Sequence, residues 1–257
     1  MQPSMPRATA RTVPAPERVD WAELGPYFMK AWGYPRGKRM PEHLEILGQT
    51  GSGKSFFERT ILMQRAKLRG SHIVVIATKP ADATLAATGW PIVDRWPPGY
   101  GQNQVIFWAK AKGLGVAGRQ QQKARIGHLL EQLWVPDSNR IVAFDEIAYI
   151  DGDLGLRIPL VRYYREGRAL GITIVASTQR PQGVPRYMHS ESGWSVFFAP
   201  KDEDDAERMA QVAGSKRGYM PILMELDRTK YEFLIVRNLT GERFISSITQ
   251  TNKPKKP

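Results

Sequence analysis

An apolar run, Leu44-Glu45-Ile46-Leu47, leads straight into Gly48-Gln49-Thr50-Gly51-Ser52-Gly53-Lys54-Ser55, and this junction constrains the fold more than any other stretch of the chain. The spacing matches G-x-x-x-x-G-K-S/T, a loop between a strand and a helix whose backbone N–H groups surround phosphate. Gly48, Gly51 and Gly53 are expected to supply backbone angles closed to other residues. The amides of residues 51–55 should point at a β-phosphate, and the N-terminus of the following helix adds positive potential. Lys54 should reach the β- and γ-oxygens, and the Ser55 hydroxyl should ligate Mg²⁺. Phe56, Phe57, Ile61 and Leu62 give that helix an apolar face. The nucleotide-binding set is therefore Gly48, Thr50, Gly51, Ser52, Gly53, Lys54, Ser55 and Phe56, with ATP and Mg²⁺ as its ligands.

Apolar runs recur at 43–47, 72–78, 104–108, 140–144, 172–177 and 194–199. Helix-compatible stretches at 54–69, 118–134, 156–170 and 202–213 lie between several of them. Short strands apolar on both faces and separated by helices predict an α/β fold, a mainly parallel sheet covered on both sides. The runs 231–237 and 242–248, joined by Asn238-Leu239-Thr240-Gly241, predict a C-terminal β-hairpin. Residues 1–18, rich in Pro, Ala and Arg, read as a disordered basic arm. Residues 19–40 carry Trp21, Leu24, Tyr27, Phe28, Trp32 and Tyr34 and read as an aromatic lead-in. An ATPase domain at 41–250 and a basic disordered tail at 251–257 complete the division.

Composition narrows the partners. A formal net charge of +12 attracts polyanions, of which nucleic acid is the commonest. The absence of cysteine excludes disulfides, thiolate metal sites and a cysteine nucleophile, which fits a reducing cytoplasm, the host's if the chain is viral. No run of 18 apolar residues is present and residues 1–20 have no signal-peptide core, so no direct membrane insertion is expected.

A second strand, Ile141-Val142-Ala143-Phe144, ends in Asp145-Glu146. Carboxylates at the tip of a buried strand are costly unless they meet a cation or carry out chemistry. Asp145 is expected to hold the Mg²⁺ hydration shell and Glu146 to act as general base on the attacking water. The strand at 172–177 ends in polar Ser177-Thr178-Gln179-Arg180-Pro181, whose side chains can touch both γ-phosphate and water. Gln179 is the first choice for that role and Thr178 the second.

The stretch Gly167-Arg168-Ala169-Leu170-Gly171-Ile172, running into Thr178-Gln179-Arg180-Pro181, resembles the helix–strand segment of the FtsK/HerA family. Residues 42–215 keep that family's motifs in order, including the strand at 194–199 and the acidic stretch Asp202-Glu203-Asp204-Asp205. The resemblance implies a RecA-like sheet, a homo-oligomeric and expected hexameric ring with ATP between subunits, and double-stranded DNA as the moved polymer. It also implies an arginine given to the neighbour's γ-phosphate, with Arg168 preferred over Arg165. Lys79, in Ala77-Thr78-Lys79-Pro80, resembles the basic residue of the family's Asp-Pro-Lys segment without its acid. Loops after the core strands supply DNA-contact candidates: Lys110, Lys112 and Arg119 in one, Arg180 and Arg186 in another. The functional expectation is an ATPase coupled to DNA translocation, recruited by a portal, relaxase or nuclease. The alternatives are a phage-assembly or secretion ATPase acting on protein, and an ATP-dependent clamp or switch on DNA.

Overall fold

The structure is a computed structural model describing residues 13–33, 42–79, 82–113, 115–179 and 181–248. Among these described residues ten strands form one sheet in the order β1-β10-β9-β8-β2-β7-β6-β3-β5-β4. The central strands are β2 (His43–Leu47), β3 (His72–Ala77), β5 (Gln104–Trp108), β6 (Arg140–Phe144), β7 (Ile172–Thr178) and β8 (Ser192–Phe198). All of them run parallel, with β4 (Ile92–Val93) added beside β5. The expected hairpin is present as β9 (Glu232–Arg237) and β10 (Glu242–Ser247), antiparallel to one another and joined to β8 through β9.

Strand alternation divides the core in two. Leu44, Ile46, Ile73 and Val75 face one side, where α1 (Trp21–Phe28), α2 (Lys54–Ala66) and α3 (Ala83–Ala86) cover them. Leu47, Val74, Ile76 and Val142 face the other, under α4 (Val116–Leu133), α5 (Arg157–Glu166), α7 (Glu203–Val212) and α8 (Lys216–Met224). A period of two along each strand, with both faces buried, explains why these runs are uniformly apolar in sequence. The remaining helix, α6 (Arg186–Glu191), leads into β8.

Two departures from the sequence reading have simple causes. Glu17–Arg18 is not disordered arm but a two-residue strand, β1, parallel to β10. It satisfies backbone groups on the open edge of β10, and Val19 N–H adds a bond to Ile245 O (3.0 Å) while Arg18 pairs with Glu232 (2.7 Å). The sheet therefore extends beyond the 41–250 boundary. The aromatic lead-in docks as α1 and one further turn through Gly33, with Phe28 stacked on Trp32 (5.2 Å) and edge-on to Trp194 (5.1 Å). Tyr34 and residues 249–257 lie outside the described residues.

β2 and β7 are fixed at their starts by a buried imidazole. His43 Nδ1 accepts from Ile174 N–H (3.0 Å), which leaves Nε2 to donate to Tyr164 O (3.0 Å). Burial lowers the His43 pKa to about 3, so the ring is neutral.

Candidate functional site

The topology puts β7 between β2 and β6. Because these strands are parallel, the phosphate-loop motif, the Asp-Glu pair and the Thr-Gln tip all emerge at one edge of the sheet. Ligands in open α/β sheets bind in the crevice outside the C-terminal strand ends.

Of the three loop glycines, Gly51 (φ +80°) and Gly53 (φ +99°) take the left-handed conformation. Gly48 does not, contrary to the sequence expectation. It is required by space instead: a Cβ there would fall 2.7 Å from both Phe198 Cβ and Ser52 Oγ. Gly53 caps α2, and Lys54, 3% exposed, lies at the helix start. A cleft of about 310 Å³ opens over the loop. Gln49, Thr50, Gly51, Gly53, Lys54, Ser55 and Phe56 line one side of it. Ser52 does not face it; its hydroxyl is buried inside the loop.

Lys79, Asp82, Thr84 and Gln179 line the same cleft. Lys79 sits at the tip of β3, where it is among the charges acting on Asp145. Asp82, three residues on, caps α3 by accepting from Thr84 N–H (2.7 Å) and Leu85 N–H (3.0 Å).

Asp145 is buried at the end of β6 and receives a long contact from Thr78 Oγ1 (3.4 Å). Burial pushes its pKa up, and Lys79 and Lys54 do not overcome that. Such a carboxylate gains from further positive charge. Among the described residues no cluster of three or more His, Cys, Asp or Glu could hold a metal alone. The hard oxygens of Asp145 and Ser55 fit Mg²⁺, which takes one or two protein oxygens and completes its shell with water and phosphate.

Glu146 is joined to the neighbouring strand tip. Thr178 Oγ1 donates to Glu146 Oε1 (2.6 Å) and Gln179 N–H to Oε2 (3.0 Å). Gln179 Oε1 in turn accepts from Thr50 Oγ1 of the loop (2.7 Å), and Gly48 N–H donates to Thr178 O (3.2 Å). The base candidate, the strand-tip glutamine and the phosphate loop thus form one hydrogen-bonded chain.

Two further carboxyls support the loop and were not anticipated. Glu58, one turn beyond Lys54, is buried and accepts from Ser177 Oγ on β7. Burial, then Asp145, raises its pKa to about 8. Asp205 on α7 accepts from Gln49 Nε2. Glu58 had a legible signal: Phe57, Glu58, Ile61, Leu62 and Arg65 repeat at helical spacing on one buried stripe of α2.

The remaining candidates lie apart. Arg165 is exposed on α5, and Arg168 sits in the turn Gly167–Leu170 that precedes β7. The seven residues of β7 separate that turn from the chain's own phosphate loop by about 20 Å. Lys110, Lys112 and Arg119 are exposed between β5 and the first turn of α4, and Arg186 is exposed at the start of α6. Arg180 lies outside the described residues.

No family model matches the sequence, and no curated protein matches it. Solved structures do. The genome-packaging NTPase B204 of Sulfolobus turreted icosahedral virus 2, in complex with AMPPCP, superimposes with a TM-score of 0.60 at 12% identity. That match covers 81% of this chain and 98% of B204. The B204 DNA-packaging ATPase of Sulfolobus turreted icosahedral virus matches equally well, at 13% identity and TM-score 0.60, over 81% and 98% of the two chains. The cytoplasmic domain of the type VII secretion ATPase EccC from Thermomonospora curvata matches with a TM-score of 0.58 and 14% identity, over 85% of this chain and 26% of EccC. Among the described residues no helix is long and apolar enough to cross a membrane. The chain therefore shares the α/β fold of these packaging and secretion ATPases.

Proposed function

We propose that this chain is an ATP-hydrolysing motor that moves double-stranded DNA as a homo-oligomeric, hexameric ring. The observation that carries the reading is the continuous linkage Glu146–Gln179–Thr50, which joins a water-activating carboxylate to the phosphate loop through the tip of β7. A nucleotide switch that does not hydrolyse ATP has no need of that carboxylate.

ATP binds with its β- and γ-phosphates in the loop and Lys54 against their oxygens. Ser55 and Asp145 would hold Mg²⁺, which would supply positive charge against that developing on those oxygens. Glu146 takes a proton from water, whose oxygen attacks the γ-phosphorus. The bond from that phosphorus to the β–γ bridging oxygen breaks, and ADP leaves with the electron pair. Gln179, on Glu146 by its backbone and on Thr50 by its side chain, is placed to sense the loss of the γ-phosphate and relay it along β7. Arg168, separated from the chain's own phosphate loop by the length of β7, or Arg165 on α5, is the arginine proposed to act on a neighbouring subunit's γ-phosphate. Exposed Lys110, Lys112, Arg119 and Arg186, with Arg180, are the proposed backbone-gripping cations. Contacts of that kind are independent of DNA sequence and weaken with salt.

The packaging ATPase B204, matched over nearly its whole length, supports DNA as cargo. The likeness to EccC favours a second reading, a secretion motor acting on protein. The ATPase rate with and without linear duplex DNA separates them. The DNA reading predicts stimulation that fades as salt rises from about 50 to 200 mM. Absence of stimulation at the low end would refute it.

A further inference from the structure

The cleft over the phosphate loop has a wall that the motif does not supply. Tyr231 and Ile248, from the turn before β9 and the segment after β10, line it beside Gly53 and Lys54. Tyr231 is 46% exposed and stands at φ +54°, ψ +38°, a left-handed conformation uncommon for a residue with a bulky side chain. Such a conformation persists only where its surroundings enforce it, and it concentrates at ligand clamps and active sites.

The surroundings here do enforce it. Tyr231 N–H donates to Arg228 O (3.2 Å), closing a single helical turn, Arg228–Lys230. The Asp227 carboxylate accepts from Thr229 N–H (2.8 Å) and Thr229 Oγ1 (2.6 Å). The residues on either side of the turn are locked reciprocally: Glu232 N–H donates to Asp227 O (3.1 Å) and Asp227 N–H to Glu232 Oε2 (2.9 Å). The outcome is a ring laid over the loop, since a Cβ built on Gly53 would come within 3.3 Å of both Tyr231 Cβ and Cδ1.

We propose that Tyr231 is the platform on which the nucleobase of the bound nucleoside triphosphate stacks, with Ile248 as the apolar wall beside it. The inference rests on the reading of residues 48–55 as a triphosphate site and adds the part of the ligand that site leaves unaddressed. Stacking accepts any base, because every base presents a π-face, and it favours purines through their larger area. The turn held by Asp227 serves to present the ring rather than to close the sheet.

The test is calorimetric titration with ATP and with inorganic tripolyphosphate, which carries the charges but no base. In wild type both bind, ATP the tighter. Tyr231→Ala is expected to weaken ATP by about tenfold and leave tripolyphosphate unchanged, while Tyr231→Phe retains wild-type binding of both. Tyr231→Gly, which adopts the left-handed conformation without strain, should lose ATP affinity as the alanine variant does, so the loss belongs to the ring and not to the backbone. Unchanged ATP affinity in Tyr231→Gly, or parallel weakening of both ligands, would overturn the inference. Wild-type protein that binds neither ligand would instead overturn the triphosphate site, and the platform with it.

Discussion

Glu146→Gln is expected to lower ATP turnover by about 10²- to 10⁴-fold while ATP still binds. The substitution keeps the shape of the side chain and an acceptor oxygen for Thr178 Oγ1 or Gln179 N–H, so the links that place the tip of β7 are largely preserved. It removes the capacity to take a proton from water. In the proposed mechanism binding depends on groups the change does not touch, namely the loop amides and Lys54. Single-turnover hydrolysis measured beside equilibrium ATP binding checks both halves. Retained turnover would take Glu146 out of the mechanism, and lost binding would mean that it shapes the loop instead.

The second large effect concerns Glu58. Its pKa is about 8 in the folded chain against an ordinary 4.5, chiefly because burial penalises the charged form. Between those values the folded state binds a proton that the unfolded state has released. Stability contributed by this group is therefore full below pH 4.5 and is lost as pH rises towards 8. The slope is about 1.4 kcal/mol per pH unit, so the whole interval is worth on the order of 5 kcal/mol. Glu58→Gln carries the neutral form at every pH and should lack this component. Chemical denaturation of both proteins from pH 5 to 8 should show wild type losing stability relative to the variant, with the gap widest at pH 8. Parallel curves would mean that Glu58 is ionised in place. A neutral Glu58 has a functional corollary. Lys54 acts on both Glu58 and Asp145, and a protonated Glu58 removes one of the two negative charges that would compete with the proposed triphosphate for it.

The parallel core was legible because strands buried on both faces must be apolar throughout. Runs such as 104–108 and 140–144 coincide with β5 and β6. α8 was not legible: Gly218 and Pro221 sit inside it, and its start is set by Ser215 Oγ accepting from Gly218 N–H (3.2 Å) rather than by helix-forming residues. Likewise β1 is two residues long and owes its existence to the edge of β10. In the site, the phosphate loop and the tips of β6 and β7 were readable because each is a contiguous run of residue types that chemistry demands together. Glu58 and Tyr231 were not named, since their roles depend on partners far along the chain. Ser177 reaches Glu58 across 119 residues, and Tyr231 meets Gly53 only because the terminal hairpin folds back beside β8.

Hydrolysis stimulated by DNA would fit a clamp as well as a motor, so movement itself must be seen. The most direct measurement uses linear duplex DNA carrying a short third strand at one end, and follows ATP-dependent release of that strand. A translocating ring strips it off at low salt with ATP, and Glu146→Gln does not. If the third strand stays bound while wild-type protein hydrolyses ATP on that same DNA, the chain is not a DNA motor.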